Sequence, residues 1–247
     1  MIRVTLLIVM LGFGWSVTAQ DATEIIRKAD EKMQGKSNSA EMTMTILRPD
    51  WKREVSIKSW AKGTELSLIL ITAPARDKGT AFLKRHKELW NWQPRIDRVI
   101  KLPPSMMMQS WMGSDFTNDD LVKQSSIVKD YYHELLADTL IDNYDCYKIL
   151  LTPKEGAPVV WGKIDVYITK DDLLQKLIKY YDEDGYLINI MELKDIRDIG
   201  GRVIPTRLEM IPAEEVGQKT IIQYQHMAFD IDISDQFFSL QNMKRIR

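Results

Sequence analysis

Apolar and polar residues alternate with a period of two along most of the chain. Met42, Met44 and Ile46 are separated by polar residues, and Val55 and Ile57 repeat the pattern. Such alternation predicts strands that have one apolar face. Similar segments recur, separated by the turns Arg85–Lys87, Asp182–Gly185, Gly200-Gly201 and Glu215–Gly217. We therefore predict a mainly β fold of about ten antiparallel strands.

The period is different in the segment before the first strand. Asp21 is a predicted N-cap, and Glu24 follows three residues later, in the position of a capping box. Gly35 ends the pattern. Apolar residues at helical spacing lie between these limits: Ile25, Ile26, Ala29 and Met33. The pattern predicts one long N-terminal helix.

A large antiparallel sheet must cover its apolar face. It can pack on a second sheet, curl into a barrel, or take helices on one face. The available cover is the N-terminal helix and an irregular insert from Pro103 to Lys123. This is little cover for a large sheet, and part of the apolar face is therefore expected to line a cavity. Charged residues on most strands disfavour an outer-membrane barrel.

The insert contains the sequence PPSMMMQSWMGSDF, from Pro103 to Phe116. At helical spacing Met107, Met108, Trp111 and Met112 would share one face. Methionine adapts its shape and is frequent where a surface accepts varied apolar partners. The composition suits a short amphipathic lid over a cavity as well as it suits plain core, and it does not decide between them.

The first residues predict a secretory leader. A short positive start precedes the apolar run from Val4 to Val17, and small residues follow it. We expect cleavage after Ala19, so that residues 1–19 are the signal peptide and residues 20–247 form a single domain in the periplasm. The only cysteine, Cys146, permits no internal disulfide and is expected to be a small core residue.

Composition and motifs exclude several function classes. A net charge of −1 gives no electrostatic reason to expect nucleic acid as a partner. The histidines His86, His133 and His226 have no metal-ligand spacing. No nucleophile elbow, P-loop or dinucleotide fingerprint is present. We therefore predict a non-enzyme without catalytic residues, metal or cofactor. Turn-making and helix capping explain the remaining acidic groups, Asp182–Asp184 and the set Asp115, Asp119 and Asp120.

The segment LPPSMMMQSWMGSDFTNDDL, Leu102 to Leu121, resembles a signature of outer membrane lipoprotein-sorting proteins in the LolA/LolB-like superfamily. The basic residues Arg95, Arg98 and Lys101 precede it, as in that branch. The segments KGTAFLK, ELWNWQP and DQFFSLQNMKR are also similar to it, so the resemblance covers nearly the whole mature chain.

The resemblance implies a strongly curved antiparallel sheet that forms an unclosed half-barrel with helices as a lid. Its apolar interior would bind acyl chains of lipoproteins or other lipids and carry them through the periplasm. A monomer is expected, and an inner-membrane exporter of the resistance-nodulation-division (RND) type is an implied partner. The gating arginine of the lipoprotein carrier has no recognisable counterpart in the sequence.

The carrier hypothesis has two sets of candidate site residues. The lid candidates are Met106, Met107, Met108, Trp111 and Met112. The wall candidates are Met42, Met44, Ile46, Val55, Ile57, Leu66, Leu68, Leu70, Trp90 and Trp92. A one-residue error in register would place a strand's candidates on the opposite face. The alternative function is a non-catalytic accessory subunit that docks an RND-type exporter without lipid cargo.

Overall fold

A computed structural model describes residues 21–123 and 126–246 of the chain. Among these residues, fourteen strands form a single antiparallel sheet, with one α-helix before it and one after it. The elements are α1 Ala22–Gln34, β1 Ser37–Arg48, β2 Trp51–Lys62, β3 Leu66–Ala73, β4 Ala81–Arg85, β5 Glu88–Gln93, β6 Arg98–Lys101, β7 Tyr131–Leu135, β8 Thr139–Ile141, β9 Tyr144–Pro153, β10 Lys163–Thr169, β11 Gln175–Tyr181, β12 Leu187–Ile199, β13 Arg202–Pro212, β14 Lys219–Phe229 and α2 Leu240–Arg245. The predicted leader, residues 1–19, lies outside the described residues.

The strands follow the spatial order β6-β5-β4-β3-β2-β1-β14-β13-β12-β11-β10-β9-β7, and β8 pairs with β9 beside this path. The pairing of β1 with β14 joins the two halves of the chain. The terminal strands β6 and β7 do not pair with each other, so the curved sheet is not closed. The mainly β prediction and the unclosed antiparallel sheet are confirmed.

The strand count is higher than expected. The sequence pattern did not identify β7 and β8, which contain only five and three residues. Both strands lie beside β9 at one end of the sheet. A period of two is hard to recognise over so few residues, since the alternation is then barely repeated.

The turns predicted from the sequence are present in the structure. The β12–β13 hairpin turns at Gly200 and Gly201, both with positive φ. A side chain at Gly200 would place its Cβ only 2.5 Å from the carbonyl oxygen of Met227 on β14. Glycine is therefore required there by conformation and by close approach of a neighbouring strand.

Helix α1 begins as predicted, because the Asp21 side chain accepts a hydrogen bond from the Thr23 N–H at 2.9 Å. Glu24 does not complete a capping box; its carboxylate pairs with Arg27 instead, at 2.6 Å. The helix buries Ile25 and Ile26 against the sheet. Gly35 ends it with φ of 65°.

The sheet has two apolar faces. The face that carries α1 and the insert, here called the inner face, holds the main hydrophobic core. The opposite or outer face holds a smaller cluster in which α2 and the preceding aromatic residues cover strands β3 to β5. Cys146 is fully buried, in agreement with a core role.

The insert differs from the predicted helical lid. It contains one 3₁₀ turn, Pro104–Met106, and one π-helical turn, Asp119–Lys123. The residues between them are turns and bends, joined by a bridge between Ser110 and Thr117. Gly113 and the preceding Met112 both have positive φ, which an α-helix does not permit. The chain therefore reverses direction within the motif rather than continuing as a helix.

Candidate functional site

A cavity of about 280 Å³ lies on the inner face of the sheet, beneath α1 and the insert. Most of its lining is apolar and comes from strands of both halves of the sheet. The apolar lining includes Met42, Ile57, Ile69, Ile164, Ile178, Met191, Leu193, Leu208, Ile222 and Met227. This cavity agrees with the prediction that the helix and the insert do not cover the apolar face of the sheet completely.

Of the predicted lid residues, Trp111 is the one that lines this space. Trp111 is 1% exposed, lines the cavity, and packs against Phe82 with ring centroids 5.3 Å apart. Met107 is buried in the same core. Met106 and Met112 are partly buried and pack at its margin. These residues cover the inner face of the sheet.

Met108 is the exception among the lid candidates. Its side chain is 57% exposed, whereas Trp111 is buried. The predicted helical face shared by Met108, Trp111 and Met112 is wrong, because the backbone turns after Met106 and side chains three or four residues apart no longer align.

The wall candidates divide between the two faces of the sheet. Met42 and Ile57 line the cavity, while Met44, Ile46 and Val55 are buried in the same inner core. The other candidates do not line the cavity; they pack on the outer face against Phe238 and Met243: Leu66, Leu68, Leu70, Trp90 and Trp92.

The reason for this division is visible in β3, where Leu66 to Ile71 are all buried. Apolar residues occupy both faces of this strand, so alternation cannot identify the inner one. Ser67 and Ile69 line the cavity instead of their leucine neighbours. Ser67 was missed because a serine between leucines is typical of a solvent-facing position.

Two arginines hold the insert against the sheet. Arg48 of β1 donates both to Asp115, at 2.9 Å and 3.1 Å, and to the carbonyl oxygen of Gly113. Asp115 also accepts from the hydroxyl of Thr220 at 2.6 Å. Arg53 of β2 donates to the carbonyl oxygen of Met112 at 3.1 Å. These contacts could not be predicted from local sequence patterns, because the partners lie more than fifty residues apart.

Asp120 is a partly buried acid at the insert end of the cavity. Its carboxylate accepts from the Thr117 N–H at 2.8 Å and from the Trp161 Nε1–H at 3.0 Å. Burial raises its pKa despite these donors, and the neighbouring Asp119 raises it further. The expected capping role is confirmed by the Thr117 contact, and the Trp161 contact ties the insert to the segment that precedes β10.

Further polar groups line the cavity away from the insert. Asp30 on α1 is half-buried and accepts from the Gln34 side chain at 3.0 Å. Burial raises the pKa of Asp30 to about 6. Burial also raises the pKa of Tyr180 and of Tyr224, so both phenols stay neutral. The cavity is apolar in area but has acidic and hydroxyl groups at several points of its wall.

The other residues considered for catalysis or metal binding lie at separate places in the structure. His133 contacts Thr23 and the carbonyl oxygen of Ile127, and His86 lies near Glu65. Across residues 21–123 and 126–246, no group of three or more His, Cys, Asp and Glu side chains is placed to hold a metal ion. Burial raises the pKa of the Cys146 thiol, which disfavours the nucleophilic thiolate.

Comparison with known proteins identifies the family to which this chain belongs. A protein-family model described as "uncharacterized protein" matches residues 63–245, more than half of the chain. A LolA superfamily protein from Nitrosomonas europaea is 25% identical, with a TM-score of 0.78 over 90% of this chain and 98% of that chain. The chain belongs to a LolA-like family.

Two further solved structures share the LolA-like fold. A DUF1329 family protein from Desulfovibrio piger is 24% identical, with a TM-score of 0.80 over 90% of this chain and 97% of that chain. A domain from Vibrio parahaemolyticus, described as an outer membrane lipoprotein-sorting protein, is 18% identical, with a TM-score of 0.80 over 91% and 98%. No protein of curated function matches the sequence.

The resemblance expected from the insert motif is thus confirmed at the level of the LolA-like family. The structural matches cover about nine-tenths of this chain. Among the described helices, none has the length and apolar character needed to cross a membrane.

Proposed function

We propose that this LolA-like protein is a non-catalytic periplasmic carrier. It binds acyl chains of a lipoprotein or another lipid in the inner-face cavity and moves them towards the outer membrane. The observation that carries the proposal is the apolar cavity beneath the insert, in a fold shared with a domain named for outer membrane lipoprotein sorting. A leader at residues 1–19 would bring the single domain, residues 20–247, to the periplasm as a monomer.

The size of the cavity indicates how the cargo enters. Ligand pockets usually enclose roughly 300 to 1,000 Å³, so a space of about 280 Å³ is at the lower limit. A long acyl chain therefore requires the insert to move outward. Displacement of Met107 and Trp111 would extend the cavity along the inner face. Each buried CH₂ group contributes about 0.8 kcal/mol, which offsets the lost contacts of the insert.

The residues proposed to contact cargo follow from this geometry. Met42 and Ile57 form part of the wall, and Met107 and Trp111 form the inner surface of the lid. Met106 and Met112 form its margin. Ile69 replaces the outer-face leucines of β3 as a wall residue.

The first experiment is native mass spectrometry of the mature protein purified from its own periplasm, followed by solvent extraction and lipid analysis. We expect a bound species that contains acyl chains. A protein that carries no lipid and takes up no acyl-chain probe would contradict the carrier function.

Two neighbouring residues of β3 provide a matched pair of variants. Ile69 faces the cavity and Leu70 faces the outer cluster, and both are buried. Replacement of either by alanine should lower the free energy of unfolding by about 2–5 kcal/mol. Only Ile69→Ala should change the amount or chain length of co-purified lipid; an equal change in Leu70→Ala would contradict the assigned inner face.

The second candidate function is docking to an RND-type exporter, without lipid cargo. The open edge of the sheet at β6 favours it, since β6 pairs only with β5 among the described strands. Ile96 and Ile100, 60% and 42% exposed, lie at this edge. Exposed edges are templates for strand addition by a partner. A photo-crosslinking residue at position 100 should capture an inner-membrane exporter in cells if this function holds, and lipid analysis should then find no cargo.

A further inference from the structure

Trp111 and Tyr180 each place a hydrogen-bond donor in the wall of the inner-face cavity. The Nε1–H of Trp111 is buried and has no hydrogen-bond partner in the part of the chain that the structure describes. The phenol of Tyr180 is buried as well. Burial raises its pKa first, followed by the nearby Asp120 and Tyr131, with no contribution from a hydrogen bond. Both groups can therefore donate to a ligand.

The indole of Trp111 is held in place by packing and not by a hydrogen bond of its N–H. Its ring lies against Phe82 with centroids 5.3 Å apart, and the side chain is almost fully buried. A buried donor without an acceptor is costly, and buried tryptophans usually have a partner for this group. Trp161, which lines the same cavity, follows this rule, because its Nε1–H donates to Asp120 at 3.0 Å. A ligand that offers an acceptor oxygen would remove the cost at Trp111.

Tyr180 lies on β11 rather than in the insert, but its ring is next to a contact that holds the insert. It packs against Trp161 with ring centroids 5.0 Å apart. Trp161 in turn donates to Asp120, in the π-helical turn of the insert. The hydroxyl of Tyr180 and the N–H of Trp111 therefore belong to the end of the cavity that the insert covers.

Another phenol of the lining, Tyr224, marks the far end of the cavity. It lies on β14 four residues after Thr220, whose hydroxyl contacts Asp115 of the insert. Four residues of a strand span about 13 Å, so Tyr224 is that much farther along the sheet from this contact. Its partner on β1 is Met42, and both residues line the cavity. The apolar wall therefore continues from the insert end towards Tyr224.

An acyl chain that is bound only through its hydrocarbon tail offers no acceptor to Trp111 and Tyr180. Its linkage does, because the carbonyl oxygen of an ester or amide has two lone pairs and can accept from two donors. With this oxygen at the insert end, the methylene groups would extend along the wall that Met42 and Ile57 help to form. The buried N–H of Trp111 is reached once the insert moves outward, which the small volume of the cavity already requires.

We propose that Trp111 and Tyr180 form a subsite for the carbonyl oxygen of an acyl ester or amide at the insert end of the cavity. The indole N–H and the phenol hydroxyl both donate to this oxygen, so that the cargo binds with its linkage inside the cavity and its chain along the wall. The proposal rests on the proposed carrier function and names the part of the cargo that is recognised by hydrogen bonds.

The first test follows the indole N–H itself in the wild-type protein with isotope-labelled tryptophan. The resonance of Trp111 in a proton–nitrogen correlation spectrum is assigned by its loss in Trp111→Phe. The ligands are the methyl ester of a long-chain fatty acid and the alkane of equal chain length. We expect the ester to move the Trp111 indole proton downfield, because a hydrogen bond forms, and the alkane to leave it nearly unchanged. An ester that binds without moving this resonance would overturn the subsite and leave the carrier function intact, whereas failure of both ligands to bind would overturn both.

The second test measures affinity with a pyrene-labelled methyl ester and a pyrene-labelled alkane of equal chain length. Binding is followed by energy transfer from tryptophan to pyrene, and Trp161 in the cavity wall remains as a donor when Trp111 is replaced. Trp111→Phe and Tyr180→Phe should each lower the affinity for the ester by about three- to tenfold, with less than about a twofold change for the alkane. Both variants keep an aromatic ring, and Tyr180→Phe alone decides the question if Trp111→Phe does not fold. Equal losses for ester and alkane would mean that the rings act by packing, and would overturn the subsite.

Tyr181→Phe is the matched control, because it removes a phenol hydroxyl from the next residue of β11, outside the cavity lining. The hydroxyl of Tyr181 donates to Asp165 at 3.3 Å instead. The affinities for both probes should stay within about twofold of the wild type. Tyr224→Phe tests the position of the linkage: a larger ester-specific loss there than in Tyr180→Phe would place the carbonyl oxygen at the far end of the cavity and overturn the assigned subsite.

Discussion

The two faces of the same sheet are covered in different ways. On the outer face Phe238 and Met243 are almost fully buried against β3 to β5, and Phe237 packs against Trp60 with ring centroids 5.4 Å apart. On the inner face α1 and the insert leave a cavity, the buried acid Asp119, and an indole N–H that has no partner among the described residues. The outer cover is continuous apolar packing, whereas the inner cover is polar at several points. Continuous packing of this kind stabilises the outer face, whereas the inner cover borders the space that we propose holds a ligand.

The largest expected effect is on the outer face. Phe238→Ala should remove about 3–5 kcal/mol from the free energy of unfolding, because a fully buried aromatic side chain is lost from close packing. Urea denaturation followed by circular dichroism measures this change. Lipid uptake by the folded fraction should stay at the wild-type level.

Leu240→Ala is the control for this variant, since Leu240 lies at the start of α2 and is 41% exposed. It should change stability by less than about 1 kcal/mol. A loss as large as that of Phe238→Ala would mean that the outer cluster extends further along α2 than the contacts show.

The next largest loss of stability is expected at the contact between Arg48 and Asp115, which joins the insert to the C-terminal end of β1. Arg48→Met leaves the buried Asp115 without its cation and should cost about 2–4 kcal/mol. Hydrogen exchange should show the loss as faster exchange of the amides between Trp111 and Thr117, because the insert is released before the sheet unfolds.

Lys52→Met is the matched control for this contact. Lys52 pairs with Glu54 on the same strand, β2, and both side chains are more than half exposed. Surface pairs contribute about 0–1 kcal/mol, so the insert amides should exchange as in the wild type. Uniform faster exchange across the sheet in Arg48→Met would show that the contact does not act locally on the insert.

The smallest effect concerns the pH dependence of the inner face. Burial raises the pKa of Asp30 from 3.8 to about 6, so between these pH values the folded state holds a proton that the unfolded state releases. Stability from this group is therefore present at low pH and falls as pH rises from about 4 to about 6. Asp30→Asn should remove that decline and exceed the wild type by about 1–2 kcal/mol at neutral pH. Denaturation curves with the same pH slope in both proteins would contradict the assignment.

Much of the inner face was predictable from the sequence. Met42, Met44, Ile46, Val55 and Ile57 alternate with polar neighbours, and all five are on that face. The alternation is informative because the other face of these strands is polar. In β3 both faces are apolar, so the pattern of Leu66, Leu68 and Leu70 did not show which face of the strand is the inner one. The structure places these three leucines on the outer face.

The insert shows a different limit. Its composition correctly indicated an apolar segment that covers the sheet, and Met107 and Trp111 are buried there. Its conformation was not predictable from helical spacing, since Gly113 and Met112 take positive φ and the chain reverses. Its attachment through Arg48 and Asp115 depends on residues far apart in the chain.

The sequence by itself determined the mainly β class, the N-terminal helix with its Asp21 cap, the turn at Gly200-Gly201, and the family resemblance of the insert, because each depends on local periodicity or local backbone preference. Only the tertiary structure decided which face of β3 borders the cavity, that acidic groups from α1 and the insert meet around one space, and that the Trp111 N–H has no partner among the described residues. Those features depend on register, curvature and contacts between distant residues, which no local pattern encodes.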